Sequence, residues 1–154
     1  MAPLLEIRHL RTAFPGPRGR GADGRIHVVD DVSFGLERGE VLALVGESGS
    51  GKSMTALALM GLLPEGARTG GRMAFEGRDL LTLDEDGWRA LRGNRIAMTF
   101  QEPMTALNPV QPIGQQVIEP ILLHRNVTRA EAEHEAVRLL DRVGLPEPRR
   151  RLAS

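Results

Sequence analysis

Residues 46–53 form a glycine-rich stretch that ends in a lysine and a serine, and these residue types at this spacing are suited to binding phosphate. The stretch reads Gly46-Glu47-Ser48-Gly49-Ser50-Gly51-Lys52-Ser53. It fits the phosphate-binding pattern G-x-x-x-x-G-K-[ST], whose glycines let backbone N–H groups point at phosphate oxygens. We expect Lys52 to reach the β- and γ-phosphates of a bound nucleotide and the Ser53 hydroxyl to hold Mg²⁺.

The segments around this loop agree with that interpretation. The apolar run 41–45 precedes it and predicts a strand buried on both faces, and residues 54–63 after it predict a helix. The start of that helix would add its positive dipole end to the phosphate site. Lys52 is also the only lysine in the chain, and a compact ammonium fits a phosphate cradle where a planar guanidinium does not. These features disfavour an ordinary glycine-rich turn.

Composition limits the remaining classes of function. The 154 residues and their 41% hydrophobic content suit one domain with a core, and 20 basic residues balance 20 acidic ones. That balance gives no electrostatic footprint for nucleic acid, so no nucleic-acid partner is expected. The absence of cysteine excludes disulfides and thiol catalysis. Charges in the first apolar segment argue against a signal peptide, and a soluble chain of cytosolic type is expected.

The pattern of strands and helices predicts an α/β fold of the P-loop NTPase type with antiparallel strands at its N-terminal end. Predicted strands cover residues 4–10, 26–29, 32–36, 41–45, 72–75 and 95–100. Two capping-box patterns, Thr82 with Glu85 and Thr128 with Glu131, predict helix starts. Residues 113–144 are predicted to form a helical hairpin with an apolar stripe on its second helix, comprising Ala136, Leu139, Leu140 and Val143.

Gln101 follows the last of these predicted strands, at an edge where open α/β sheets bind ligands. Its amide oxygen could serve Mg²⁺ and the water that attacks a γ-phosphate. On spacing alone, an ordinary polar residue at a strand end is an equally good interpretation.

The string FQEPMTALNP at residues 100–109 resembles the Q-loop of ATP-binding cassette (ABC) transporter ATPase subunits. More narrowly, it is similar to the subunits that serve dipeptide and oligopeptide importers. The phosphate loop, the VVDDVSF string at 28–34 and Val143-Gly144-Leu145 resemble the same subfamily, so the likeness runs along essentially the whole chain.

The resemblance implies ATP and Mg²⁺ as cofactors and assigns roles to several residues. Gly46 to Ser53 would hold the triphosphate, Ser53 and Gln101 the metal, and Phe14 would stack on adenine. Simple packing is the alternative role for Phe14. The expected organisation is an antiparallel β subdomain with the P-loop core over 1–102, followed by the Q-loop and the beginning of a helical subdomain over 103–154.

The resemblance also implies partners and a location. Residues 102–112 and the following helix would receive a transmembrane permease subunit, with Met104 and Leu107 as the apolar contacts. Ordinary core burial is the alternative role for these two side chains. A second ATPase subunit, identical or paralogous, would complete the ATP sandwich. The protein would then be peripheral, at the cytoplasmic face of a bacterial-type membrane. The transported solute (a peptide, nickel or a related small molecule) is not encoded in an ATPase subunit.

Three motifs of the family are not found in the sequence: the LSGGQ signature, the Walker B strand and the switch histidine. We therefore expect a chain truncated before the signature, with an exposed apolar edge and doubtful ATPase activity by itself. The alternative is a non-catalytic fragment that binds nucleotide without turnover. A GTPase or kinase is disfavoured because it leaves the Q-loop string unexplained.

Overall fold

The computed structural model describes residues 3–16, 24–100 and 106–153. They fall into two units, one within Met1–Arg92 and the other within Gly93–Ser154. The first contains β1 (Leu5–Pro15), β2 (Arg25–Leu36), α1 (Lys52–Leu59), β3 (Arg68–Phe75), β4 (Arg78–Asp79), a 3₁₀ turn (Leu80–Thr82) and α2 (Glu85–Leu91). The second contains α3 (Ile113–His124), α4 (Arg129–Arg142) and α5 (Pro148–Arg151). Among the described residues, no helix is long and apolar enough to cross a membrane.

The first unit is built on an antiparallel sheet with strand order β2-β1-β3-β4. The predicted strands 26–29 and 32–36 are one strand, β2, which pairs with β1 along its length. Asp31 takes a left-handed conformation (φ 58°) in the middle of β2, and His9 does the same (φ 50°) in β1. The His9 Nδ1 atom lies 2.7 Å from Asp31 Oδ1, so the two irregularities are joined by their side chains. The interval between the two predicted strands, residues 30–31, is therefore a β-bulge within one strand.

Helix α1 ends at Leu59 and not at residue 63 as predicted. Gly61 takes a left-handed conformation (φ 60°), and the N–H groups of Gly61 and Leu62 donate to the carbonyls of Ala58 and Leu57. This is the Schellman arrangement that terminates helices at glycine. The side chain of Arg92 adds donors at the same end, 2.7 Å from each of the Met60 and Gly61 carbonyl oxygens.

The predicted capping box at Thr82 is wrong, because Asp84 caps α2. The Asp84 Oδ1 atom accepts from the N–H of Gly87 at 2.8 Å. Thr82 belongs to the preceding 3₁₀ turn, and its hydroxyl donates to the Asp79 carbonyl. An aspartate is as good an N-cap as a threonine, and its position next to the helix decides between them.

The two strands predicted at 41–45 and 95–100 are not formed among the described residues. Val41 is 94% exposed and Val45 85% exposed, so the side chains of this apolar run are open, but they do not form the exposed strand edge that was expected. A strand that is buried on both faces needs neighbours on both sides. In the described part of the chain, no strand pairs with 41–45.

The second unit confirms the predicted helical hairpin of α3 and α4. Its core comprises Ile118, Ile121, Ala132 and Ala136. The Thr128 capping box is confirmed as well: Thr128 Oγ1 accepts from the N–H of Glu131, whose carboxylate accepts from the Thr128 N–H at 2.7 Å.

The prediction that Val143 belongs to the apolar stripe of α4 is wrong. Val143 is 78% exposed, whereas Ala136 and Leu140 are buried. Helix α4 ends at Arg142, and Gly144 then turns the chain in a left-handed conformation (φ 76°). Val143 therefore lies past the last helical residue and does not continue the buried face.

The ion pairs of Glu135 should make the thermal stability of the second unit depend on pH. Two hydrogen bonds of 2.7 Å from Arg138, with a further contribution from Arg125, lower the pKa of Glu135 from 4.5 to about 2. A carboxylate whose pKa is lowered by folding stabilises the fold above its unfolded pKa, and that stabilisation is lost as pH falls through the folded pKa. We expect E135Q to lower the melting temperature at pH 6, and the difference from the wild type to shrink between pH 4.5 and 2.

The control for this prediction is E133Q on the same helix. Among the described residues, Glu133 pairs only with Arg129 of its own helix, whereas Glu135 also reaches Arg125 at the end of α3. The effect of E133Q on melting at pH 6 should be smaller. A difference between E135Q and the wild type that is undiminished at pH 2 would contradict the assignment.

Candidate phosphate-binding site

The predicted phosphate loop turns tightly and leads directly into α1. The N–H of Ser50 donates to the Glu47 carbonyl at 3.2 Å, and Gly49 (φ 82°) and Gly51 (φ 87°) are both left-handed. Gly51 is the N-cap of α1, which begins at Lys52. Glycine adopts this conformation without the steric cost that a Cβ brings, so these two glycines stand where the turn requires them.

Gly51 has a second constraint because the loop packs directly against β2. A Cβ built on Gly51 would lie 2.4 Å from the carbonyl oxygen of Val28 and 3.4 Å from Val29 Cγ2. The nearest obstacle is backbone, which cannot rotate away as a side chain can. The position therefore requires glycine for both conformation and space.

The ammonium of Lys52 folds back onto its own loop. Its Nζ atom lies 2.8 Å from the Gly46 carbonyl oxygen, 2.6 Å from that of Glu47 and 3.2 Å from Ser50 Oγ. An ammonium has three donors, and these contacts occupy all of them. The positive charge is thus held within the loop, where the motif predicts phosphate to bind.

The N-terminus of α1 offers a complementary feature. Gly51 supplies no side-chain cap, and the first turn contains no acidic residue. The first N–H groups of a helix have no partner inside the helix, and they carry a partial positive charge. Nothing in this first turn offsets that charge, so the helix end favours an anion.

These parts border a cleft of about 410 Å³. It is lined by Gly49 to Met54 together with His27 and Val28 of β2. His27 and Val28 are not predicted as site residues, because nothing local in the sequence relates β2 to the loop. Of the described residues, those lining the cleft include no carboxylate, and their titratable side chains are those of Lys52 and His27.

Of the remaining predicted site residues, one lines the cleft and the others lie away from it or outside the described residues. Ser53 is exposed and lines the cleft. Phe14 lies in β1 opposite Ile26 and is half-buried, and it is not among the described residues that line the cleft. Gln101 and Met104 lie outside the described residues, and Leu107 is 49% exposed.

The proteins to which this chain is similar in sequence include ATP-binding proteins of peptide transport. The chain is 48% identical over 149 residues to the oligopeptide transport ATP-binding protein OppD of Escherichia coli, covering 97% of this chain and 43% of that protein. It is 49% identical over 156 residues to the putative peptide import ATP-binding protein BMEII0863 of Brucella melitensis, covering 97% of this chain and 45% of the relative. The chain thus spans less than half the length of these curated relatives.

A solved structure and a family model give the same result. The dimeric structure of MJ0796, a bacterial ABC transporter cassette, matches 97% of this chain and 60% of that one with a TM-score of 0.72 at 23% identity, which supports the fold alone. The family model for ABC transporters matches residues 29–154. The chain therefore belongs to the ABC transporter family and has the fold of the N-terminal part of its ATPase cassette.

Proposed function

We propose that this chain binds the triphosphate of Mg²⁺-ATP in the loop 46–53. The observation that carries the proposal is the position of Lys52, whose ammonium is held against the Gly46 and Glu47 carbonyls beside the uncapped start of α1. On binding, phosphate oxygens would replace these carbonyls as partners of the ammonium. The helix N-terminus would contribute its N–H groups to the same anion.

Metal and base recognition complete the proposed site. The exposed hydroxyl of Ser53 would hold Mg²⁺ together with the side chain of Gln101. Phe14 would stack on adenine, an interaction worth about 1–3 kcal/mol by analogy with base stacking in single-stranded nucleic-acid complexes. The metal supplies neutralisation of phosphate charge, and the chain's own residues orient the phosphates.

We further propose the role of an ATPase subunit in peptide import, since the names of OppD and BMEII0863 give peptide transport for those proteins. Permease subunits in the membrane would contact the region of 102–112 and the following helix. A second ATPase subunit would face the nucleotide. The protein would then work at the cytoplasmic face of the membrane. The organisation proposed is a β subdomain with P-loop core over 1–102 and a helical part over 103–154.

Nucleotide titration tests the binding proposal. A fluorescent ATP analogue with Mg²⁺ should bind the chain, and K52M should weaken binding at least about tenfold, equivalent to 1.4 kcal/mol. R129M is the matched control because it also removes one positive charge, from the exposed face of α4. If K52M and the wild type bound equally, the loop would not be the site.

Phe14 has its own discriminating experiment. F14A should weaken ATP about fivefold or more, the low end of the stacking range. It should leave the binding of inorganic tripolyphosphate unchanged, since that ligand has no base. Equal losses for both ligands would indicate a structural role for Phe14 in the β1–β2 pair.

Turnover distinguishes the ATPase from the alternative of binding alone. The cleft lining described above has no carboxylate, and the sequence contains no Walker B glutamate. We expect the 154-residue chain to bind ATP and to hydrolyse it more than tenfold more slowly than a full-length relative. A rate within tenfold of the relative would overturn this expectation.

A further inference from the structure

In the described part of the loop before α3, the side chain of Gln116 makes three hydrogen bonds to the backbone. Its Oε1 atom accepts from the N–H of Asn108 at 2.8 Å. Its Nε2 atom donates to the carbonyl oxygens of Asn108 and Gln111, both at 2.9 Å. The side-chain amide therefore pairs with both the N–H and the C=O of Asn108, as a residue of a neighbouring β-strand would. Its second N–H donates to the Gln111 carbonyl oxygen.

The orientation of this amide is fixed by its partners. A backbone N–H can only donate and a backbone carbonyl can only accept, so exchanging Oε1 and Nε2 would break all three hydrogen bonds. Gln116 lies in the first turn and a half of α3, where side chains incline toward the helix N-terminus. That inclination brings the amide back over the preceding loop.

The loop that it contacts is itself a closed turn. The N–H of Gln111 donates to the Asn108 carbonyl at 3.2 Å, and the N–H of Val110 donates to Asn108 Oδ1 at 3.1 Å. Asparagine at the first position and Pro109 at the second are the residues that such a turn favours. Gln116 joins this turn to α3, while Val110 within the turn is 86% exposed. Hydrogen bonds, and not apolar burial of Val110, hold the turn to the helix.

We propose that Gln116 is a positioning residue that anchors the turn of residues 108–111 to the first turns of α3. The proposal rests on the function proposed above and deepens it, because this turn follows the suggested metal ligand Gln101 in the sequence. The anchor requires an amide at position 116: a carboxylate would present two acceptors to the Asn108 and Gln111 carbonyls, and an apolar side chain would offer neither donor nor acceptor.

Backbone amide hydrogen exchange in the 154-residue chain tests the anchor. Q116M keeps an unbranched side chain of similar length and removes all three hydrogen bonds. We expect the Asn108 amide to exchange at least tenfold faster in Q116M, while the amide of Ala136 in the buried core of α4 keeps its rate. A purely structural role would accelerate both amides together through global unfolding, and that result would overturn the proposal.

The neighbouring Gln115 provides the matched control, because it is exposed on the same turn and its backbone N–H bonds to Pro112. Q115M should leave the exchange of Asn108 unchanged. Q116E keeps an acceptor for the Asn108 N–H but loses both Nε2 donor bonds, so the exchange rate of Asn108 should lie between those of the wild type and Q116M. Exchange as slow as in the wild type would overturn the requirement for an amide.

These measurements are made without nucleotide, so they are independent of ATP binding. A chain that fails to bind the fluorescent ATP analogue would contradict the proposed function and leave the exchange difference intact. Equal Asn108 exchange in Q116M and the wild type would contradict the anchor and leave the nucleotide result intact.

Discussion

Replacing Gly51 by alanine should destabilise the first unit and abolish phosphate binding together. The left-handed conformation of Gly51 (φ 87°) costs a Cβ-bearing residue about 1–2 kcal/mol, and forcing a methyl group into a packed site costs about 1–3 kcal/mol more. The clash is with the Val28 carbonyl oxygen at 2.4 Å. For a chain of this size we expect the melting temperature to fall by roughly 5–15 °C. The melting temperature is measured by following the circular dichroism signal during heating.

A substitution at Gly49 separates the cost of the left-handed conformation from the cost of the clash with β2. It is also left-handed (φ 82°), but a Cβ built there meets nothing within 4 Å among the described residues. G49A should therefore cost only the conformational part, about 1–2 kcal/mol. Equal losses in G49A and G51A would show that the contact with β2 contributes nothing. Titration with the fluorescent ATP analogue should show the larger loss of affinity in G51A, because its clash displaces the start of α1.

Features encoded by a few adjacent residues were predicted well from the sequence. The Thr128 capping box and the α3–α4 hairpin depend on neighbours three or four positions apart, and the structure confirms both. The Thr82 capping box failed for a local reason as well, since Asp84 lies closer to the helix start. Errors of this kind move a boundary by a turn or less.

Features that depend on distant pairing were predicted poorly. An apolar run such as 41–45 indicates a buried strand, but a strand forms only where partner strands exist. The side chains of Val41 and Val45 are nearly fully exposed because the described residues supply no partner. The same limit explains why His27 and Val28 were missed as cleft residues: their approach to the loop follows from the packing of β2 against Gly51.

The site shows how the two kinds of information combine. The motif identifies Lys52, and the structure shows that its ammonium is already bonded to three atoms of its own loop. A charged group that is held in place before the ligand arrives loses less conformational entropy on binding. The closed loop therefore holds the ammonium in place, and under the proposed function its carbonyl contacts would be exchanged for phosphate oxygens.

The largest effect outside the phosphate loop is expected from Gly71 in β3. Gly71 is left-handed (φ 95°), and a Cβ there would lie 2.3 Å from the His9 carbonyl oxygen and 2.7 Å from that of Arg8. Both obstacles are backbone of the neighbouring strand β1, at the bulge where His9 is left-handed as well. We expect G71A to reduce the free energy of unfolding by about 2–5 kcal/mol, measured by urea denaturation.

Gly70, the preceding residue of the same strand, is the control for this prediction. It has ordinary extended backbone, and a Cβ built there meets nothing within 4 Å among the described residues. Because alanine is favoured over glycine by about 0.5–1 kcal/mol in a strand interior, G70A should be neutral or slightly stabilising. Opposite effects from adjacent glycines would locate the constraint in the β1 bulge. Similar losses in G70A and G71A would instead mean that the whole β1–β3 contact resists any added side chain.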